Sequence, residues 1–463
     1  MVTKDIVFIN KKSNIAIATL WTKKESIIQK LKNKNKVNVA GTLYSTYGIN
    51  YLLHTLASNP QIDTIILFGA DLSGVGDVLK SLFENKALGE VRLIWSINEI
   101  GNVLETVKIV DLRDAYNRSE WQRLEETVEK FYNPRGPVRP LIKLELKEIV
   151  ADSWPLPVSG FFVHEISPFR AWLKAIYAVM KFGNVKECEY GERQKQILNL
   201  VITLNFYGRE IIFEEEFFKY ISEEMFTEHY RSIVDFSKYK GVTYTYGERL
   251  FAHPFAGNQY GMFIEKLRKC PETRRALAVL WHHKVDIENE NPPCIVIIQG
   301  DVTGQYYNHT VYIRSNDMYT AWPINVYGQV RLAEKIAKEL GLKIGTITTI
   351  SSSAHVYEHD WDNAWNLLHE HYDKLVEFVP GSRGSYILYL SGSELVVEHR
   401  TPEGLKANEL RLKSFRDYYV LKRESLYLTP EHAFYLGWES RKALERLSKK
   451  EKYVQDDDFQ PSR

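Results

Sequence analysis

After about residue 165 the rhythm of this chain changes, and that change restricts its fold more than any other feature. Before it, residues 14–21, 36–43, 63–69 and 91–95 read as short strands, and residues 23–31, 47–57, 75–83 and 119–132 as helices. In the last of these, Trp121, Leu124, Val128 and Phe131 share one face and charged residues take the other. Strands that alternate with helices imply a mostly parallel sheet, because a parallel pair needs a long crossover and the helix supplies it. Residues 1–150 are therefore expected to form a doubly wound α/β domain. The run Asn133-Pro134-Arg135-Gly136-Pro137-Val138-Arg139-Pro140 breaks both patterns and reads as a surface connection.

Beyond the change, strands follow one another without an obligatory helix. Residues 197–204, 210–213, 275–281, 294–298, 309–314 and 345–350 read as strands, and 169–182, 260–267 and 326–340 as helices. The spacing of Phe169, Trp172, Ile176 and Tyr177 marks an aromatic face suited to core or subunit packing. A mixed α/β domain is expected over 165–379. A small α+β segment is expected over 380–463, opening at Pro380-Gly381-Ser382-Arg383-Gly384. In it, 385–390 and 394–398 form a hairpin, 405–421 and 430–447 are helical, and the tail from Asp456 is polar and frayed. This segment is a candidate to pack on the N-terminal domain.

Sixty Lys and Arg balance 59 Asp and Glu, leaving +1, so no global field favours a nucleic acid polymer or an acidic membrane. Any anion must meet a local cluster. Apolar runs such as 64–68 and 295–298 are too short to cross a bilayer, and Met1-Val2-Thr3-Lys4-Asp5 is no hydrophobic leader. Three isolated cysteines, Cys188, Cys270 and Cys294, suit a reducing cytosol, so a cytoplasmic location is expected.

Chemically useful residues are densest between 246 and 357. Cys294 follows Pro292 and Pro293, which fix the backbone and remove two amide donors, a setting that fits a nucleophile at a strand start as well as a plain buried thiol. Arg274-Arg275 precedes one strand and Arg314-Ser315-Asn316-Asp317 ends another. Such arginines could bind a dianion through charge-assisted hydrogen bonds. The same field would lower the thiol pKa.

In order and approximate spacing, Tyr244-Thr245-Tyr246-Gly247-Glu248-Arg249, Thr273-Arg274-Arg275, Pro293-Cys294, Arg314-Ser315-Asn316-Asp317-Met318, Trp322-Pro323-Ile324-Asn325 and Ala354-His355-Val356-Tyr357 resemble the motifs of the thymidylate synthases, in their archaeal wording. The resemblance covers about residues 170–375. It implies that the Cys294 thiolate adds to deoxyuridylate, and that methylenetetrahydrofolate or methylenetetrahydromethanopterin gives the carbon unit and the hydride. It further implies phosphate binding by Arg314 and Ser315, by Arg274 and Arg275 across a homodimer, and by Arg193. Tyr246 falls in the proton-abstraction network, His355 and Tyr357 at the deoxyribose, and Asp317 and Ala321 at the pterin. Asn325 faces the pyrimidine, where an amide matches adjacent N–H and C=O groups; directly before 326–340 it also suits a helix N-cap. A pyrimidine-nucleotide hydroxymethylase and a non-catalytic nucleotide-binding scaffold share the same pattern. Ile295 and Ile313 stand where bacterial members have His and Gln. The catalytic glutamate has five candidates: Glu214, Glu215, Glu216, Glu223 and Glu224.

No metal site is expected, since the histidine pairs lack paired cysteines or a helical third ligand. The N-terminal domain, with Ser58-Asn59-Pro60 before the 64–69 strand, resembles the corrinoid-binding component of tetrahydromethanopterin methyltransferase. That family ligates its corrinoid through a histidine in the next loop. Here that loop is Gly69-Ala70-Asp71-Leu72-Ser73-Gly74-Val75-Gly76, so no corrinoid is expected. His432-Ala433-Phe434-Tyr435-Leu436-Gly437 resembles an archaeal module that accompanies such domains.

Overall fold

A computed structural model describes residues 6–87, 91–146, 154, 156–234, 244–377, 383–425 and 429–457. Pro380-Gly381-Ser382 and the tail beyond 457 lie outside the described residues. The chain divides into two compact units, Met1–Val150 and Ala151–Arg463.

In the first unit, β1 (Ile6–Phe8), β2 (Ile15–Ala18), β3 (Val39–Gly41), β4 (Thr64–Leu67) and β5 (Lys108–Asp111) lie in the order β1-β3-β2-β4-β5. All neighbours from β3 to β5 are parallel, and β1 alone pairs antiparallel. The alternation of side chains feeds two cores. Ile15, Ile17, Ile66 and Phe68 meet Ile27, Leu124 and Val128 on one face. Ala16, Ala18, Ile65 and Leu67 meet Leu53, Leu79 and Val103 on the other. Both faces are thus covered, as a doubly wound sheet requires. Residues 91–95 are not a strand; the next element is the helix Ile97–Thr106. Its capping box decides this: the Ser96 amide donates to Glu99 Oε2 at 2.8 Å and the Glu99 amide to Ser96 Oγ at 3.4 Å. The loops after β2 and β4 touch so closely that a Cβ on Gly69 would lie 2.0 Å from the Thr19 carbonyl oxygen. Ser73 is tied into the same edge, accepting from Trp21 Nε1 at 3.1 Å and donating to the Tyr44 carbonyl at 2.9 Å.

The second unit holds a mixed seven-stranded sheet: β6 (Ser159–Glu165), β7 (Asn184–Glu187), β8 (Arg193–Asn205), β9 (Leu277–Val279), β10 (Ile295–Thr303), β11 (Tyr306–Asp317) and β12 (Lys343–Tyr357). The order is β6-β8-β12-β11-β10-β9, with β7 paired to β8. The helices Pro168–Phe182 and Ala321–Leu340 contribute the main core, centred on Trp172, Ile176, Trp322 and Val326. Both tryptophans are fully buried with their N–H groups satisfied, Trp172 by the Met318 carbonyl at 2.7 Å and Trp322 by Thr349 Oγ1 at 3.0 Å. The aromatic face of the first helix is therefore core. Residues 210–213 form no strand; they lead into the helix Glu215–Tyr220.

The C-terminal segment, in the same unit, has β13 (Ser385–Ser391), β14 (Glu394–Arg400) and β15 (Lys406–Leu412) in one antiparallel sheet. The helix expected over 405–421 is thus a strand followed by the shorter helix Tyr418–Ser425. Leu412 and Leu410 turn into a core with Leu395, Val397, Leu436 and Leu444, while Arg411 between them is exposed, the period of a strand. Lys174 and Glu431, 3.4 Å apart, join this segment to the helix Pro168–Phe182. Among the described residues, no helix is long and apolar enough to cross a membrane.

Candidate active site

Strand register brings the separated motifs together. Cys294 immediately precedes β10, and its carbonyl accepts the Arg314 amide at 2.9 Å. The two prolines before it contribute acceptors: Pro293 O takes Arg314 Nε and Pro292 O takes Nη2, both at 3.0 Å. The guanidinium, 5.5 Å from the Trp281 ring centre, is so fixed beside the thiol. The β11–β12 ladder then sets Ser315 opposite Ser353, Asn316 opposite Ala354 and Asp317 opposite His355. Antiparallel pairing of β12 with β8 sets Tyr357 opposite Gln194.

Cys294 is half-buried. Burial pushes its thiol pKa up, and the Arg314 charge pulls it down by less. This corrects the expectation of a lowered pKa: within one chain the enclosure of the sulfur outweighs a single guanidinium.

Tyr246 begins the helix Tyr246–Phe251, which Thr245 caps by accepting the Glu248 amide at 3.0 Å. Its ring centre lies 5.8 Å from that of Tyr244, whose hydroxyl donates to Pro292 O at 3.3 Å. Burial raises both phenol pKa values, so both are neutral donors near pH 7. Gly247 is required here, since a Cβ would stand 2.6 Å from the Ile233 carbonyl oxygen. The helix is anchored by a buried two-pronged ion pair, Arg249 Nη2 to Asp286 Oδ1 at 2.6 Å and Nη1 to Oδ2 at 3.1 Å.

Asn325 is buried in the second turn of the helix Ala321–Leu340, which rules out the N-cap role. Its Nδ2 donates to Asn316 Oδ1 at 3.4 Å, and Asn316 Nδ2 donates to Ser351 Oγ at 3.0 Å. The sequence reading missed Asn316 and Ser351 as site residues. A polar side chain at an inward strand position needs a partner, and that rule was the available signal.

His355 is buried, with Nδ1 3.3 Å from Ser353 Oγ and its ring centre 4.8 Å from that of Tyr357. Burial lowers its pKa, leaving it neutral. Asp317 Oδ1 accepts the Tyr319 amide at 3.0 Å, and Oδ2 accepts those of Thr320 at 3.0 Å and Ala321 at 3.3 Å. Oδ1 therefore retains a lone pair for another N–H donor. Tyr190, also missed in the sequence, lies between β7 and β8 with its ring centre 6.5 Å from that of Tyr357; Cys294 and Arg314 both act on its phenol.

Three predicted arginines stand apart from this group. Arg193 is exposed and paired with Glu358, Nε to Oε2 at 2.9 Å. Arg274 and Arg275 are exposed ahead of β9. The candidate glutamates do not fill the missing role. Glu214 accepts from Ser167 and the Phe169 amide, Glu216 pairs with Lys374 at 2.9 Å, and Glu215, Glu223 and Glu224 are exposed. In that stretch the buried titratable side chain is His229, 5.8 Å from the Tyr246 ring, which sequence reading did not single out. Among the described residues, no group of three His, Cys, Asp or Glu could hold a metal ion.

Comparison with known proteins covers the same region of the chain. The family model described as thymidylate synthase matches residues 228–381. A protein of Methanosarcina mazei named "Putative thymidylate synthase" is 32% identical over 199 residues, 43% of this chain and 90% of that protein. The chain belongs to the thymidylate synthase family. Two more relatives of the same name tell alike: that of Methanothermobacter marburgensis is 34% identical over 210 residues, 42% of this chain and 92% of its own, and that of Methanocaldococcus jannaschii 33% over 201 residues, 42% and 89%. The thymidylate synthase family is one of methyltransferases that bind deoxyuridylate and a methylene-folate-type co-substrate. Its model includes Cys294, Arg314, Tyr246 and Asn325, and leaves the first unit outside.

Proposed function

We propose that this protein is a thymidylate synthase that converts deoxyuridylate to thymidylate through a covalent Cys294 adduct. The observation that carries the reading is the meeting of a half-buried thiol, a fixed guanidinium and two neutral phenols at one end of β10 and β11. The Cys294 thiolate adds to the ring carbon beta to a carbonyl. The sulfur–carbon bond forms and the electron pair moves toward the carbonyl oxygen. Asn325 holds the N–H and C=O edge and stabilises that developing charge. Tyr246, supported by Tyr244, serves the removal of the neighbouring ring proton, and release of Cys294 ends the cycle. A methylene-pterin supplies the carbon unit and the hydride; Asp317, through the free lone pair on Oδ1, and Ala321 are the residues that would hold it.

Arg314 and Ser315 hold the phosphate, while His355 and Tyr357 bond the deoxyribose hydroxyl. Arg193 reaches the phosphate after leaving Glu358. The exposure of Arg274 and Arg275 suits a homodimer in which they serve the phosphate of the opposite protomer. The cytosol, with its reduced thiols, is the setting we assign. The first unit stays, in our reading, a domain like the corrinoid-binding component of the methyltransferase but without a corrinoid, and residues 380–463 an accessory segment.

The test is intact mass after incubation with 5-fluoro-deoxyuridylate and each methylene-pterin. A stable adduct of protein, nucleotide and one pterin, mapped to Cys294, is expected. Absence of any adduct with either pterin refutes the reading.

A further inference from the structure

His229 is buried, yet its Nε2 has no hydrogen-bond partner. A buried unpaired nitrogen is costly and calls for an explanation. Two glycines admit its helix, Glu223–Val234, against the site. A Cβ on Gly328 would stand 3.2 Å from His229 Cδ2 and 2.5 Å from Ile233 Cδ1, and Gly247 makes the matching room on the Tyr246 side. His229 is thus wedged between Tyr246 and the turn that follows Asn325, and the Asn325 amide acts on the imidazole. Elsewhere the same amide is engaged by Asn316 Oδ1, itself backed by Ser351 Oγ.

We propose that His229 and Asn316 are positioning residues that hold the Asn325 amide in one orientation, and so select a pyrimidine with an N–H and C=O edge over an aminopyrimidine. The inference rests on the nucleotide site proposed above. With one Nδ2 hydrogen given to Asn316, Asn325 keeps a second donor for the ring C=O and its Oδ1 for the ring N–H. An aminopyrimidine presents an acceptor nitrogen and an amino donor, and needs the amide turned over. Turning it would set Oδ1 against Asn316 Oδ1 with no proton between them. An imidazole N–H directed at Oδ1 reinforces the same orientation, which is how a neutral His229 would use its free nitrogen.

Calorimetry on the full chain tests this with deoxyuridylate and deoxycytidylate. The ratio of the two Kd values should fall about tenfold in His229→Leu and in Asn316→Ala, mainly through tighter deoxycytidylate binding. His229→Gln and Asn316→Asp, which keep polar partners, should retain most of the ratio. A purely structural role would weaken both nucleotides together and leave the ratio unchanged; that result overturns the inference. If His229→Leu does not fold, Asn316→Ala and Ser351→Ala carry the same comparison. Failure of the unaltered protein to bind either nucleotide would instead bring down the nucleotide reading, and this inference with it.

Discussion

The sheets of the two units treat their polar side chains differently. In the first, Arg113 is surrounded by Asp71 at 2.7 Å, Asp111 at 2.8 Å and Asp77 at 2.5 Å. Hydrogen bonds from Arg113 hold the Asp111 carboxyl down at about 2. Lys80 adds a second cation 3.2 Å from Asp111, so two cations serve three carboxylates there. In the second unit, Cys294, Asn325, His355 and His229 are buried or half-buried with capacity left over. A cluster of paired charges ties loops together, whereas a desolvated group of neutral side chains with spare donors and acceptors is open to a ligand. The difference also follows from topology. A sheet covered on both faces uses its strands as packing, while the mixed sheet sets the start of β10 beside the ends of β11 and β12 and lines up residues from distant motifs.

The sharpest break of that comparison is Cys294→Ala. It should abolish turnover, a loss of at least about 10⁴-fold if the covalent step is obligatory, while nucleotide affinity stays within a few-fold. Unaltered turnover, followed by thymidylate formation, would place the chemistry elsewhere. Next is Asp286→Ala. It leaves Arg249 buried without its partner and should cost about 3–5 kcal/mol in the second unit. Urea unfolding checks the magnitude, and hydrogen exchange should localise the loss to residues around the helix Tyr246–Phe251. Gly69→Ala is the counterpart in the first unit. Its Cβ would meet the Thr19 carbonyl oxygen at 2.0 Å, which forces β2 and β4 apart at their ends, for about 3 kcal/mol. Faster exchange in β2 and β4, with the Cys294 adduct yield retained, is the expected pair of results.

Local pattern made part of this legible. Short apolar runs split by amphipathic helices gave away the doubly covered sheet, and Pro292-Pro293-Cys294 with Arg314-Ser315 gave away the thiol and its guanidinium. The apolar run 91–95 is too short to carry a decisive period, and 405–421 spans a strand and the start of a helix; the Ser96–Glu99 capping box and the pairing of β14 with β15 decide them. His229 and Asn316 were beyond reach for another reason. Their roles depend on contacts between elements far apart in sequence, made possible by Gly247 and Gly328, and no spacing rule connects a helix glycine with a histidine about 100 residues away. The raised thiol pKa likewise depends on enclosure, which charge counting along the chain does not register.

Histidine placement offers the mildest perturbation of the comparison. Burial holds His229 and His309 at about 4, although the Asn325 amide beside His229 and the hydrogen bond of His309 with Gln329 act in the opposite sense. In the unfolded chain both titrate near 6.5. Because the folded values are depressed, the unfolded state takes up protons first as pH falls. Stability of the second unit is therefore intact above about pH 6.5 and lost progressively toward pH 4. At pH 5 each histidine removes about 2 kcal/mol, from 1.5 pH units below the free value. The first unit has a single histidine, His54, only partly buried, so its own transition should shift less over the same window. Hydrogen exchange at pH 7 and pH 5, corrected for intrinsic rates, should show protection falling in β11 and the helix Glu223–Val234 and holding in β2 and β4. Equal losses in both units would mean that acid acts through the carboxylates of the whole chain and not through these two rings. His309→Gln keeps a hydrogen-bonding partner for Tyr307 without titrating, and should return about 2 kcal/mol of the stability that the second unit loses at pH 5.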